Sequence, residues 1–375
     1  MKKLTFLILI FFTSELVAQE IRYLNRSPEA LLMGDAFTSL ADDTYTLFYN
    51  PAALANSRAV ELSLLNPSFG VTNALDELDR FENFPSNDVS AINERLQGLP
   101  VYAQTGISPG IKMGGFFGIN FLANSTTSLI LRNQTHPEID IDYRYDRGFV
   151  MGGAYTLGRA PSMRMEGGAT GSYTTIGFGF KYINREGVDN TYDLFGTKLL
   201  SDISSGIADA TAIKEAFGYS EGKAYGYDFG VLHSEVVGRS KFNLGLSVMD
   251  IGDTRFEIEE GTAPIPDQEM IVNLGSSWEQ NFGLFNTTFA FDLHPLNSTI
   301  DFGRKIHLGV KIGLPLVDIM AGFNAGYLSY GAALNIWPVR LMAGFYEVEI
   351  GAEYKQEVGK RAVLYLSFFE TAFDL

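Results

Sequence analysis

The sequence predicts an all-β protein, a transmembrane antiparallel β-barrel of about 14 strands with an N-terminal hatch inside its lumen. Three observations predict it. The chain opens like an exported protein, no later apolar stretch is long enough for a helical span, and most of its 375 residues fall into alternating segments separated by turn residues.

The opening comes first. Lys2 and Lys3 form a short basic region, Leu4 to Phe12 is apolar except for Thr5, and small or polar residues follow up to Ala18 and Gln19. Charge, then a short apolar core, then a small residue is the order of a secretory signal, and the core is too short to cross a bilayer as a helix. Residues 1–18 are therefore expected to be a signal peptide. Cleavage after Gln19 is the alternative, because Leu16 is large for the third position before the cut.

Composition agrees with export to an outer membrane. Hydrophobic residues make up 46% and mean hydropathy is only +0.04, without an uncharged run of helix-spanning length past the signal. The 39 Gly, 29 Phe and 18 Tyr suit closely packed strands with aromatic girdles at two interfaces, a bias that a soluble all-β protein also shows. Cysteine is absent, which excludes a disulfide framework, thiolate metal sites and cysteine nucleophiles. With 28 Lys+Arg against 44 Asp+Glu and no basic cluster, nucleic acid is excluded as a partner. The acidic groups Asp76, Glu77, Asp79 and Glu82, then Asp140, Asp142 and Asp146, then Glu257, Glu259 and Glu260 are expected on solvated loops. Membrane lipid and lipopolysaccharide are the expected surroundings.

Residues 19–57 do not alternate. Pro28 to Leu40 is rich in Ala, Leu and Met around Gly34, and predicts short helical pieces and turns. This is the hatch. From residue 58 the period becomes two. Strands are expected at Val60–Val71, Val101–Ser108, Ile111–Ala123 after a Pro109-Gly110 turn, Thr127–Gln134, Asp140–Leu157 and Tyr173–Ile183. The second half adds Ala224–Val236, Phe242–Ile251, Glu269–Glu279, Thr287–Leu293, Lys305–Leu314, Val317–Phe323, Leu328–Ile336, Val339–Glu347, Gly351–Gln356 and Ala362–Phe369. That makes roughly 14 to 16, and an even, closed barrel follows because an open edge is not tolerated in lipid. Two excursions, near 76–96 and 186–219, carry short helical patterns and are expected on the extracellular side, where barrel loops are long. At the end of the chain Phe369, Thr371, Phe373 and Leu375 fall on one face at period two, although the last residue is Leu where an aromatic is usual.

Catalytic chemistry has little to stand on. His136, His233, His294 and His307 are scattered, and no metalloprotease, nucleophile-elbow or phosphate-loop pattern occurs. His233, Ser234 and Glu235 are neighbours in a strand and alternate faces, so they do not form a triad. Each histidine reads as an interfacial or lumen side chain. No catalytic residue, metal ligand or cofactor is assigned, and the chain reads as a non-enzyme.

One segment is distinctive. Residues 33–55 read MGDAFTSLADDTYTLFYNPAALA. Met33, Gly34, Ala36 and Phe37, then Ala41, Asp42 and Asp43, then Asn50, Pro51, Ala52, Leu54 and Ala55 resemble the N-terminal motif of the FadL/TodX-like outer-membrane proteins and the related PorV/PorQ group. Leu244–Gly252, and Ile306–Lys311 with Ala321–Gly326, resemble strands and late hairpins of the PorV type. The resemblance implies a 14-stranded barrel with the N-terminal segment in the lumen. In FadL-type members it implies passive uptake of hydrophobic compounds such as long-chain fatty acids, with Phe37 and Phe48 as candidates to touch the ligand. In PorV-type members it implies partnership with secretion-system proteins. The residues themselves suit a plug: Asn50 precedes Pro51 and favours an extended-then-turn geometry, Asn and Asp side chains satisfy backbone groups, and Gly34 allows close approach to the wall. Three readings remain: hydrophobic uptake, secretion or assembly partner, and a purely structural barrel. An apolar pocket beside the hatch would favour the first, and a polar or filled lumen the other two.

Overall fold

The computed structural model describes residues 20–57, 59–75, 95, 98–132, 138–158, 170–193, 217–369 and 371–373. The signal peptide, His136, most of the 76–96 excursion and residues 194–216 lie outside them. The strands are β1 (Val60–Ser63), β2 (Ser68–Thr72), β3 (Val101–Ile107), β4 (Gly110–Met113), β5 (Phe117–Arg132), β6 (Glu138–Leu157), β7 (Thr170–Asp193), β8 (Ser220–Val237) and β9 (Ser240–Met249). They continue as β10 (Glu257–Glu260), β11 (Ile271–Asn281), β12 (Asn286–Leu293), β13 (Ile306–Gly313), β14 (Val317–Asn324), β15 (Tyr327–Ile336), β16 (Val339–Glu349), β17 (Val358–Phe368) and β18 (Thr371–Phe373).

Every pairing is antiparallel, and the sheet closes where β9 meets β11 and β17 meets β2. Among the described residues the closed circuit has 14 staves. Four of them are broken. β1 and β2 form one stave interrupted at Pro67, β3 and β4 another interrupted at Ser108-Pro109, β9 and β10 a third, both paired with β8 on either side of residues 250–256, and β17 and β18 a fourth interrupted at Phe369, whose φ is 56°. Both β3 and β4 pair with β5, so Pro109-Gly110 is a break within a stave and not the hairpin turn expected there. The hairpin lies at Gly114 and Gly115, where φ of 58° and 77° makes a tight reversal easy. That turn divides the expected Ile111–Ala123 strand, and residues 127–132 of the expected Thr127–Gln134 strand are the far part of β5, the last two lying outside the described residues. Gly351–Gln356 is a turn, organised by Glu349, whose carboxylate accepts from the N–H groups of Gly351, Gln356 and Glu357 at 2.8, 2.9 and 2.8 Å. β7 continues to Asp193, so the start of the expected 186–219 excursion is strand.

The two faces of the wall are inverted relative to a soluble protein. Phe121, Phe178, Tyr227, Leu244, Trp278, Phe289, Leu308, Ile319, Tyr330 and Leu364 point outward and are exposed, while Lys181, Arg185, Asp228, Asn243, Asp292 and Arg361 point inward and are buried. An outward apolar band around a polar interior is the physical signature of a barrel in lipid. Most connections at one end are short and most at the other are longer, as in outer-membrane barrels. β6 has 20 residues and β7 has 24, well beyond the roughly 9–11 that a tilted strand needs to cross, so this sector rises past the bilayer. Asp140, Asp142 and Asp146 stand in β6 and not on a loop. Asp146 faces Arg185 at 2.6 Å, which is why an acidic run fits in a strand. Glu257, Glu259 and Glu260 are exposed on β10 at the long-loop end.

Candidate functional site

Residues 20–56 occupy the lumen. Helix α1 (Pro28–Leu32) packs against β14 to β17, and the 3-10 helix Pro51–Asn56 packs against β6 to β8 on the other side. Local chemistry shapes both. Ser27 caps α1, accepting from the N–H groups of Glu29 and Ala30, and Pro28 stands at the first helical position. Gly34 and Asp35, with φ of 68° and 63°, reverse the chain after it. Asn50 is extended (φ −159°, ψ 109°), as a residue before proline prefers. Its Oδ1 accepts from Ala52 N–H at 3.0 Å and its Nδ2 donates to the Thr38 carbonyl at 3.1 Å. Asn56 donates to the carbonyls of Ser39 and Leu40, both at 3.1 Å. These two amides stitch the halves of the segment together.

The other motif residues take distinct places. Asp43 accepts from Ser27 Oγ at 2.5 Å and from Tyr45 N–H at 2.8 Å, and burial pushes its carboxyl up to about 7. Burial also raises Asp42, whose carbonyl receives Lys112 Nζ. Ala36, Ala41, Ala52 and Leu54 are buried. Phe37 is fully enclosed, edge-on to Tyr49 at 5.2 Å between ring centroids. Phe48 instead lines a small cavity of about 20 Å³ with Tyr23, Leu24, Tyr49, Met249 and Ile271, whose polar side is Lys181, Asp250 and His294. The structure thus separates the two candidate contact residues: one faces a space, the other does not.

The wall is cut to receive the segment. Inward glycines are paired across strands, Gly118 with Gly152, Gly177 with Gly230, Gly245 with Gly275, Gly309 with Gly322 and Gly331 with Gly344. A Cβ at Gly177 would stand 2.2 Å from Ala52 N, one at Gly230 1.9 Å from Asn50 Oδ1, and one at Gly322 2.1 Å from Gly34 N. Such distances leave no room for a side chain, so Gly177 and Gly322 admit the segment's backbone against the wall and Gly230 admits the Asn50 amide. The high glycine count of the sequence has this as one cause.

Polar contacts hold the segment around its circumference. Arg361 grips Glu20 with two hydrogen bonds of 2.7 and 2.5 Å, and Arg22 reaches Asp142 at 2.9 Å. Burial alone would raise Glu20, but Arg361 and Arg22 outweigh it and hold the carboxyl at about 2. Glu29 lies between Lys311 and Arg340, the latter at 2.8 Å, and is likewise held at about 2 against its burial. Asp292 accepts from the N–H groups of Phe37 and Thr38 at 2.8 and 2.7 Å. Ser247 donates to the Tyr49 carbonyl at 2.7 Å, and Lys241 to Asn56 Oδ1 at 2.9 Å. Sequence reading missed these wall partners. Their only local signal is a charged residue on the inward parity of a strand.

Two histidines, 13 positions apart, also meet here. His294 and His307 stack at 3.8 Å with ring planes 4° apart, both buried against the segment. His233 stands apart on β8, hydrogen-bonded to Thr174 at 2.9 Å.

The remaining described lumen cavities are small and polar. One of about 60 Å³ is lined by Glu20, Arg22, Arg26, Gln104, Asn124 and Arg361, and one of about 30 Å³ by Glu20, Arg26, Asp35, Arg304 and Glu349. They have room for a few waters at most. The larger apolar hollow, about 480 Å³, lies on the outer wall between Phe242, Trp278, Phe289, Leu308 and Phe323.

No family model and no curated protein matches the chain. Solved barrels are similar to it at low identity. The Pseudomonas putida toluene transporter TodX has 10% identity and a TM-score of 0.44, covering 95% of this chain and 100% of its own. A deltaS2 mutant of the TodX monoaromatic hydrocarbon channel has 10% and 0.45, covering 92% and 99%. The Ralstonia pickettii toluene transporter TbuX has 9% and 0.45, covering 92% and 98%. On its own geometry, the chain is a closed antiparallel membrane barrel whose residues 20–56 sit inside the lumen.

Proposed function

We propose that the protein is an outer-membrane channel for passive uptake of small hydrophobic compounds, long-chain fatty acids among them, with residues 20–56 as its gate. The observation that carries this reading is the cavity at Phe48. Half of its lining residues are aromatic or aliphatic, it lies between segment and wall, and it is bounded by groups that separate if the segment shifts. As it stands it holds about one water, so passage requires the segment to yield. The segment's own apolar side chains, Leu24, Leu31, Leu32 and Leu47, then line the widened path. The test is uptake of radiolabelled oleate and of toluene in cells lacking the protein and in complemented cells. Uptake unchanged by the deletion sinks the reading.

A second reading is favoured by a different observation, the polar grip around the whole segment. A lumen closed by Glu20–Arg361, Arg22–Asp142 and Glu29–Arg340 suits a barrel that stays shut and works as a secretion or assembly partner through its long-loop end. Loss of exported proteins from the cell surface in the deletion strain, with uptake intact, would select it.

A further inference from the structure

β12, β13 and β14 have eight residues each, short of the roughly 9–11 that a tilted strand needs to cross a bilayer. The short turns that join this sector are apolar and uncharged. Phe282, Leu284 and Phe285 stand in one, with Leu284 85% exposed, and Leu314 and Leu316 stand in another, both exposed. Exposed apolar side chains gathered in one place mark a surface that meets lipid or another apolar partner. Here they continue the outward apolar band at the short-turn end, which in such barrels faces the periplasm and the inner leaflet. Above these tips the outer wall is indented. Trp278, Phe289, Val310 and Ala321 are neighbours in one cross-strand row, and side-chain bulk falls along it from indole to methyl. The Trp278 and Phe289 rings stack at 5.7 Å, and the hollow of about 480 Å³ lies among them, Leu308 and Phe323. Arg239 stands at its edge. It is exposed, and its guanidinium has no acid partner among the described residues. A Cβ on Gly283 would lie 3.9 Å from its Nη1, so the guanidinium rests against the Phe282–Phe285 turn. Phe242, which lines the hollow, follows Arg239 by three positions, about 10 Å along a strand.

We propose that this sector of the outer wall holds one phospholipid of the inner leaflet, with an acyl chain in the hollow and the phosphate on Arg239. It concerns what the barrel holds on its outside, not what it passes, so it goes beyond the reading above and does not depend on it. The chemistry is complementary at both ends. A guanidinium pairs with two phosphate oxygens at once, in a geometry an ammonium does not match. An acyl chain in the hollow is flanked by the Trp278 and Phe289 rings, and it fills space that the short side chains of Val310 and Ala321 leave open. The apolar turns keep the site inside the leaflet: Leu284 and Leu316 enter the acyl boundary, which brings the adjoining guanidinium to the depth of the headgroups.

Native mass spectrometry of the full-length mature barrel, delipidated in dodecyl maltoside and titrated with phosphatidylglycerol, tests the site. One lipid per barrel is expected to bind ahead of all others. Arg239→Gln should weaken that first binding several-fold. Diacylglycerol, which has the chains without the phosphate, should bind more weakly and equally to wild type and Arg239→Gln. Ala321→Phe, which fills the hollow from its floor, should weaken both lipids. A second measurement reads the position of the chain. The sequence has two tryptophans, so Trp337→Phe leaves Trp278 as the sole reporter. One equivalent of phosphatidylglycerol brominated on its chains should quench Trp278 strongly, and adding Arg239→Gln should raise the lipid needed several-fold. Many lipids binding with no tight first one, or equal binding by wild type, Arg239→Gln and Ala321→Phe, would overturn the proposal. So would a dimer whose Trp278 is shielded without lipid, which would assign this face to a second copy of the chain.

Discussion

The side chain of Asn66 replaces a missing piece of the backbone ladder opposite Ser108. Its Nδ2 donates to the Ser108 carbonyl and its Oδ1 accepts from the Ser108 N–H, each at 2.8 Å. Two adjacent staves break at this level, at Pro67 and Pro109, and proline cannot donate to the ladder. The fully buried amide closes the gap that both breaks leave.

Asn66→Ala is therefore expected to weaken this seam. A buried donor and acceptor are left unmet, at a cost of about 1–3 kcal/mol. The barrel should still insert and run as a heat-modifiable band, but with a lower unfolding midpoint in detergent. A midpoint equal to wild type would show that water or backbone substitutes for the amide.

Gly230→Val should unseat the segment while sparing the wall. The new side chain would overlap Asn50 and the chain at Ala52, and overpacking typically costs about 1–3 kcal/mol. Trypsin cleavage at Arg22 and Arg26 is the readout, with Tyr227→Leu, an outward change on the same strand, as control. Equal protection in both variants would contradict the close fit described at Gly230.

Glu29→Gln should loosen α1 strongly, because Lys311 and Arg340 lose their shared anion in a buried site. Removing one member of a buried ion pair costs about 3–5 kcal/mol. The same pairing has a pH signature in the wild type. Glu29 is held at about 2 in the folded protein against 4.5 when free, so its contribution is complete above 4.5 and is lost as pH falls towards 2. Protection of the segment measured from pH 6 to pH 2 should fall through that window in wild type and show a smaller drop in Glu29→Gln.

Deleting residues 20–56 should leave an inserted barrel, because every wall stave is paired with wall staves. The glycine-lined space the segment leaves should then conduct ions, seen as large steps in planar bilayers. Pro51→Ala is the mild version, freeing the turn after Asn50 at a cost of about 1 kcal/mol of segment order, and should change hydrophobic uptake several-fold with normal insertion. Failure of the deletion variant to insert would mean that the segment is needed to build the wall.

Much of the wall was legible in the sequence because alternation is local. Tyr173–Ile183 reads inside–outside residue by residue, and it lies in β7 with Phe178 outward and Gly177 inward. What misled was local as well. Gly351–Gln356 alternates over a few residues but forms a turn around Glu349. Gly114-Gly115 looked like part of a strand because glycine carries no side-chain pattern, yet its positive φ makes the hairpin. Asp142 and Asp146 looked like loop residues because two of their counterions, Arg22 and Arg185, are remote in sequence.

The sequence by itself determined an alternating barrel wall and a non-alternating N-terminal segment, since period and turn residues are properties of neighbouring residues. Only the tertiary structure decided what each inward residue meets. Glu20 finds Arg361 across 341 positions, Glu29 finds Arg340 across 311, and His294 stacks on His307. Those meetings depend on the register and closure of the sheet, where a slip of one residue turns every inward side chain outward. Pairing order around the barrel sets them, and no short stretch of the chain encodes it.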